Sequence, residues 1–234
     1  MQRRVEETRL VLAGEEALCD PSGALYFPDL GLLVVSDLHL EKGSSFARRG
    51  RLMPPYDSAA TLTRLEAAIT RRAPRVVVSL GDSFHDGEGA ARLPLPFRLQ
   101  LEAMMAGRQW LWVAGNHDPD VPADLPGDCV AEIALSGLSF RHEPSRPIVG
   151  QAIAGEVAGH LHPGARIVQR GRSVSRRCFV TDGERLIMPA FGAFTGSLNV
   201  LDRAYSGLFT AARLMAYMLG EDRVYPIAGA LLRR

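Results

Sequence analysis

Six histidines occur in this 234-residue chain. Five stand in short strings, four of them with Asp, Asn or Gly, in Asp37-Leu38-His39, Gly115-Asn116-His117-Asp118 and Gly159-His160-Leu161-His162, and one in Arg141-His142. The sixth, His85, follows a Gly-Asp pair in Gly81-Asp82-Ser83-Phe84-His85-Asp86. Imidazoles, carboxylates and an amide oxygen together make a mixed donor set that suits Mn, Fe or Zn better than Ca. The strings read as a metal site written in pieces, provided the fold brings them together.

The surrounding pattern supplies elements to do so. Residues 24–27, a Pro-Asp turn and residues 32–36 read as a hairpin whose second strand is buried and ends at Asp37. Asp57 or Ser58 caps a helix running to about Arg72, with Leu62, Leu65 and Ile69 on one face. Pro74 then opens a continuous apolar strand, residues 75–80, ending at Gly81-Asp82; a helix over 95–105 leads to a third strand, 109–114, ending in the Gly-Asn-His-Asp string. Trp110 and Trp112 alternate on that strand and read as packing. Beyond it the pattern is of short β segments near 130–133, 138–141, 153–158, 165–168, 178–181 and 185–188, then a closing amphipathic helix over 206–219. The class is α/β, with a βαβ first half and a mostly β second half.

Each string falls just after a strand, and in α/β sheets ligands bind beyond the carboxyl ends of strands. Asp37 and His39, two apart on an extended segment, would share a face and chelate one ion; His160 and His162 have the same spacing. Either pair alone is weak evidence, since a histidine near a strand end is more often structural. Gly-Asn-His-Asp specifies four residues, an accident at odds of about one in a thousand for a chain this size.

Length and composition fit one domain over residues 1–234 with a substantial core, 47% of residues being hydrophobic. No long apolar run proposes a membrane span, and the charged start, residues 1–9, lacks a secretory signal, so cytoplasm is the expected location. Cys19, Cys129 and Cys178 are odd in number and widely spaced, which points to packed, reduced thiols. A net charge of +1 gives no global pull toward nucleic acid, but basic clusters stand at residues 48–51, 71–72, 166–177 and 233–234. Solvated faces are the commoner meaning of such clusters, and phosphate contact is the other.

In this order the strings resemble the signature of the calcineurin-like metallophosphoesterase superfamily over residues 37–162. The resemblance implies a four-layer αββα sandwich of two mixed β-sheets flanked by helices. It implies that Asp37, His39, Asp82 and His162 hold one metal, that Asp82 bridges to a second, and that Asn116, His142 and His160 complete the second site. His117 would face the scissile phosphate as general acid or charge stabiliser, with Asp118 orienting its imidazole. His85 stands where the superfamily commonly has Asp or Glu, so it lines the pocket or tunes a neighbour. Two divalent ions against two carboxylates leave a positive surplus that a phosphodiester and a hydroxide would neutralise, and paired metals activate water for in-line displacement.

A narrower likeness, carried by residues 37–58, 81–86 and 188–202, is to the ligase-associated DNA damage response phosphoesterases. It implies an Mn-dependent phosphodiesterase or endonuclease acting on DNA, beside DNA ligase, helicase and exonuclease partners. Lys42, Arg48, Arg49 and Arg51, in a loop over 42–51, would contact phosphates, or that stretch is a solvated lid. Tyr56, Phe191 and Phe194 would stack on bases or pack in the core. Two other functions share the core motifs: a phosphatase or pyrophosphatase acting on nucleotides or another small phosphate ester, and a non-catalytic metal-stabilised subunit of a repair complex.

Overall fold

The apolar runs become the middle of a seven-stranded sheet in the computed structural model, which describes residues 7–51, 53, 56–119, 125–146 and 155–234. Its strands are β1 (Thr8–Leu12), β2 (Glu15–Cys19), β3 (Leu25–Phe27), β4 (Leu32–Val35), β5 (Val76–Leu80), β6 (Gln109–Val113) and β7 (Asp128–Val130), side by side in that order. The first four form an antiparallel meander, and β4 to β7 are parallel. Parallel neighbours need crossovers. These are α1 (Lys42–Arg48) and α2 (Asp57–Arg72) before β5, and α3 (Gly89–Arg92) and α4 (Leu95–Met105) before β6.

A second mixed sheet contains β8 (Glu132–Leu135), β9 (Leu138–Arg141), β10 (Glu156–Ala158), β11 (Pro163–Gln169), β12 (Arg172–Thr181), β13 (Arg185–Ile187), β14 (Leu198–Asn199), β15 (Met215–Leu219) and β16 (Val224–Ala228). The period-two pleat sorts the apolar side chains into layers. Leu33, Val35 and Val77 point to α2 and α4, meeting Leu62, Leu65, Leu101 and Met104. Leu25, Val34, Val78 and Leu80 point the other way, against Phe140, Val157, Phe179 and Leu186 of the second sheet. Each such side chain, once buried, contributes about 1.5–3 kcal/mol, so this double apolar face fixes how the sheets dock. Trp110 and Trp112 are both buried, as packing residues.

Several expectations need correction. The helix expected over 206–219 is absent: short 3₁₀ turns (Arg203–Tyr205 and Ala211–Arg213) precede β15, which pairs with β12 and β16. The reason lies in side chains of the β12–β13 turn. Arg185 Nη1 donates to Leu208 O at 2.8 Å, and Asp182 Oδ2 accepts from Thr210 N at 2.8 Å, so backbone groups a helix would use internally are taken. The fourth layer is therefore these turns, which with Tyr205 and Leu208 cover Cys178, Val180 and Ile187. The segment expected near 130–133 divides into β7 and β8, which belong to different sheets. Residues 42–48 are the helix α1, not a loop. The expected strand start at Ile153 lies outside the described residues. Cys19 and Cys178 are buried, whereas Cys129 is exposed. Among the described residues no helix is long and apolar enough to cross a membrane.

Candidate metal centre

All the histidine strings lie just past strand ends. Asp37 and His39 follow β4, Asp82 follows β5, and Asn116 with His117 follows β6; His142 follows β9, and His160 and His162 follow β10. Both sheets therefore feed one place. The backbone there is not extended, contrary to the sequence reading. Asp37, His39, Asp82, His160 and His162 have φ of 54, 44, 47, 67 and 46°, the left-handed region that costs a non-glycine residue about 1 kcal/mol or more. The conformations are held by the turns' own bonding: His39 N donates to Asp82 O at 2.9 Å, and His160 N to Asp37 Oδ2 at 3.1 Å. Two glycines permit this crowding. A Cβ on Gly81 would collide with the His142 ring, and one on Gly115 with the backbone N and Oδ1 of Asp82.

Among the described residues, three groups of donors have ligand atoms within 4.8 Å of one another; His39/His85/His117 has imidazoles alone, and the two sets that include a carboxylate are Asp37/His39/His162 and Asp82/His142/His160. In the first of these two, His39 Nε2 and His162 Nε2 lie 3.4 Å apart, and His162 Nε2 lies 3.1 Å from Asp37 Oδ1. That oxygen is buried and makes no hydrogen bond, as a cation ligand would be. In the second, His142 Nε2 is 3.0 Å from Asn116 Oδ1, 3.3 Å from His160 Nδ1 and 3.3 Å from Asp82 Oδ1. Asp82 Oδ2 is 3.9 Å from His39 Nε2, so the two oxygens of one carboxylate look toward both sets. Imidazole nitrogens facing one another beside buried carboxylates fit divalent cations, and the donor types match Mn, Fe or Zn.

Carbonyl groups fix two tautomers, because a carbonyl only accepts. His142 Nδ1 lies 3.0 Å from Leu80 O and must carry a proton, which leaves Nε2 for the cluster. His117 Nδ1 likewise donates to His85 O at 2.8 Å, turning its Nε2 toward Asp82 Oδ2 at 4.0 Å. Electrostatics separate the sets further. Burial pulls His39 down to about 3 despite Asp37 and Asp82. Burial also opposes a charged His142, but its hydrogen bond to Asp82 and the Asp37 and Asp82 charges carry it up to about 9. Asp82 falls to about 2, because His142 outweighs the burial that opposes its ionisation.

Not every predicted role matches the geometry. Asp118 does not orient His117: its Oδ2 accepts from Phe84 N at 2.9 Å, and the His117 ring is held by the His85 carbonyl. Burial, with Asp82 adding, raises Asp118 to about 7. His85 lies beside the cluster, its ring 5.4 Å from that of His39 and 5.2 Å from that of His117, and burial with the Lys42 charge lowers it to about 4. Lys42 Nζ donates to Phe194 O at 3.0 Å; Arg48 is paired with Glu88; Arg49 and Arg51 are exposed. Phe191 is core, while Tyr56 and Phe194 are exposed. Sequence reasoning missed Ser36, whose Oγ donates to Asp37 Oδ2 at 2.5 Å, and misplaced Asp57: the expected cap by Asp57 or Ser58 is not made, Tyr56 holds the N-cap position, and Asp57 Oδ2 instead accepts from Gly43 N at 2.7 Å and ties α1 to α2. A lone Ser before an Asp and an Asp opening a helix carry no signal of such duties.

Two mixed sheets whose strand ends converge on carboxylate and imidazole donors make a candidate divalent-metal centre. The chain belongs to the calcineurin-like phosphoesterase family, whose model matches residues 30–179. The crystal structure of Pseudomonas putida nuclease MPE is similar at 27% identity and a TM-score of 0.72, covering 95% of this chain and all of that one (100%). Yfce, a phosphoesterase from E. coli, is more distant: 16% identity and a TM-score of 0.43 over 84% of this chain and 98% of that one. No curated protein matches the sequence.

Proposed function

We propose that the protein is a binuclear metallophosphoesterase that hydrolyses phosphodiester bonds in DNA as a phosphodiesterase or endonuclease during repair. The observation that carries this reading is a single carboxylate, Asp82, set between two donor sets and below a half-exposed His117. The similarity to a nuclease over nearly the whole chain supports the substrate class. Asp37, His39, Asp82 and His162 would hold one divalent ion, and Asp82, Asn116, His142 and His160 a second, manganese being the expected metal and iron or zinc alternatives. Such ions, when bound, supply positive charge against the phosphate and acidify water. The His85 carbonyl keeps the His117 Nδ1 proton, so Nε2 is the atom that faces the leaving oxygen and passes it a proton. Its 40% exposed side chain lies within a substrate's reach. The Leu80 carbonyl holds the His142 ring in the orientation that presents Nε2. Action in the cytoplasm beside DNA ligase, helicase and exonuclease partners is part of the proposal.

The test is turnover by Mn-loaded protein on single-stranded and nicked DNA, on a small phosphodiester and on a phosphomonoester. Cleavage of DNA and the diester is expected, and cleavage of the monoester alone would overturn the reading.

A further inference from the structure

The hairpin formed by β11 and β12 carries a feature that the metal centre does not use. Residues 163–181 contain five arginines and no Asp or Glu. Residues 172–176 of β12 are all exposed, so the hairpin projects beyond the sheet as an arm. At its base is a cavity of about 490 Å³, whose walls include Arg166, Arg176, Arg177, Ser175, Ser197 and Asn199 and no acidic side chain. None of these arginines pairs with an Asp or Glu side chain among the described residues. Burial alone lowers Arg177, and the nearby buried Arg64 is pulled down to about 10 by burial and then by repulsion from Arg177. Acidic side chains near the arm, Glu221 and Asp222, lie with Arg176 and Arg177 along a separate cavity, and Arg166 is held by Ser173 Oγ at 2.7 Å and Arg234 O at 3.0 Å, so the wall of this cavity is basic.

The cavity adjoins the metal centre through the chain itself. β11 begins at Pro163, directly after His162, and Leu198 N donates to His162 O at 2.8 Å, which lays β14 along it. The other wall, Ala193 and Thr195, belongs to a loop whose Gly192 N donates to Asp37 O at 3.1 Å and whose Phe194 carbonyl accepts from Lys42. Arg177 Nη1 braces that loop through Ala190 O and Gly192 O at 2.8 and 2.9 Å. Guanidinium groups and hydroxyls without carboxylates suit phosphate oxygens on an anionic backbone. We infer that the groove between the β11–β12 arm and the 192–199 segment is a backbone-phosphate subsite that holds the DNA strand on one side of the scissile bond. This rests on the DNA-cleaving reading above. Arg166 and Arg176 are the contacting pair, and Arg177 is a positioning residue that shapes the groove wall.

The probe is a single phosphorothioate DNA strand of about 20 nucleotides, longer than most single-strand sites, bound to Mn-loaded protein and followed by fluorescence anisotropy against salt. The double substitution Arg166→Gln/Arg176→Gln should weaken binding about tenfold at low salt and flatten the log Kd against log salt slope by about 1.4, two single-strand phosphate contacts. Arg166→Lys/Arg176→Lys should recover most of the slope, and hydrolysis of a small chromogenic phosphodiester should be unchanged in both. Wild-type affinity and slope in the Gln variant would overturn the subsite while leaving DNA cleavage standing. Arm-dependent binding without DNA cleavage by the wild type would instead overturn the cleavage reading and leave the subsite.

Discussion

The two donor sets are built from the same residue types yet differ in how ready they are for a cation. In Asp37/His39/His162 every member has a left-handed backbone, and burial keeps His39 low, at about 3, so its ring is uncharged at neutral pH and has one nitrogen lone pair to offer. In Asp82/His142/His160 the Leu80 carbonyl locks the His142 ring, and Asp82 with Asp37 raises it to about 9. Left-handed turns shape both sets, since Asp82 and His160 share them; the difference is that burial leaves the His39 ring neutral, whereas a carboxylate holds a proton on His142 where a cation would go. Burial and pairing act on the same kind of ring with opposite outcomes, and the partner's position decides which wins.

The comparison breaks hardest at Asp82, which serves both sets. Asp82→Asn should lower phosphodiester turnover by about three orders of magnitude, consistent with losing several kcal/mol of metal-borne stabilisation; turnover and metal content per chain check it, and wild-type activity would sink the shared-ligand geometry. Next in size is His117→Ala, expected to slow DNA cleavage by about 10²-fold, the lower end of what a general acid contributes. Because its Nε2 serves the leaving oxygen, the loss should shrink on an ester with a good leaving group such as nitrophenolate, and an equal loss on both substrates would contradict that role.

Two pH measurements sharpen the contrast. Because His142 must lose its Nε2 proton before that nitrogen binds a cation, affinity at the Asp82 set should rise about tenfold per pH unit up to about pH 9 and then level, while His39, held at about 3, adds no such dependence. Calorimetric Mn titrations in buffers of different ionisation enthalpy would count the released proton. Asp118 is the smallest effect. Its carboxyl is raised to about 7 in the fold, so the native state binds the proton more tightly than the unfolded chain. Stability of chelator-treated protein should therefore be greatest below about pH 4 as far as this group is concerned, and should fall as pH rises toward 7. Asp118→Asn can keep an acceptor for Phe84 N, and should remove that loss and raise the melting temperature at pH 8; an unchanged pH profile would refute it.

Much of this was legible because the signal is local. Continuous runs such as residues 76–80 have one stable use, a strand buried on both faces, and the strings after them inherit their place at the strand ends. The helices Asp57–Arg72 and Leu95–Met105 matched their apolar spacing almost to the residue. What was not legible depends on distant partners. Residues 215–219 have an amphipathic composition, but β12 and β16 supply backbone partners that make a strand the better burial. The left-handed turns at Asp37 and His160 are imposed by the opposing loops, which no two-residue spacing reports. Asp118 was assigned to the wrong neighbour because adjacency to His117 in sequence says nothing of Phe84 N, the donor it faces.

Both donor sets draw members from both sheets, Asp37 and His39 with His162, and Asp82 and Asn116 with His142 and His160. A cation bound there would act as a rivet through the seam between two separately hydrogen-bonded halves. Shear of one sheet over the other would stretch its bonds before disturbing any ladder within a sheet, so binding would add to native stability by mass action. Chelation would first loosen the seam, and with it the facing of His117 and the arm across a common strand.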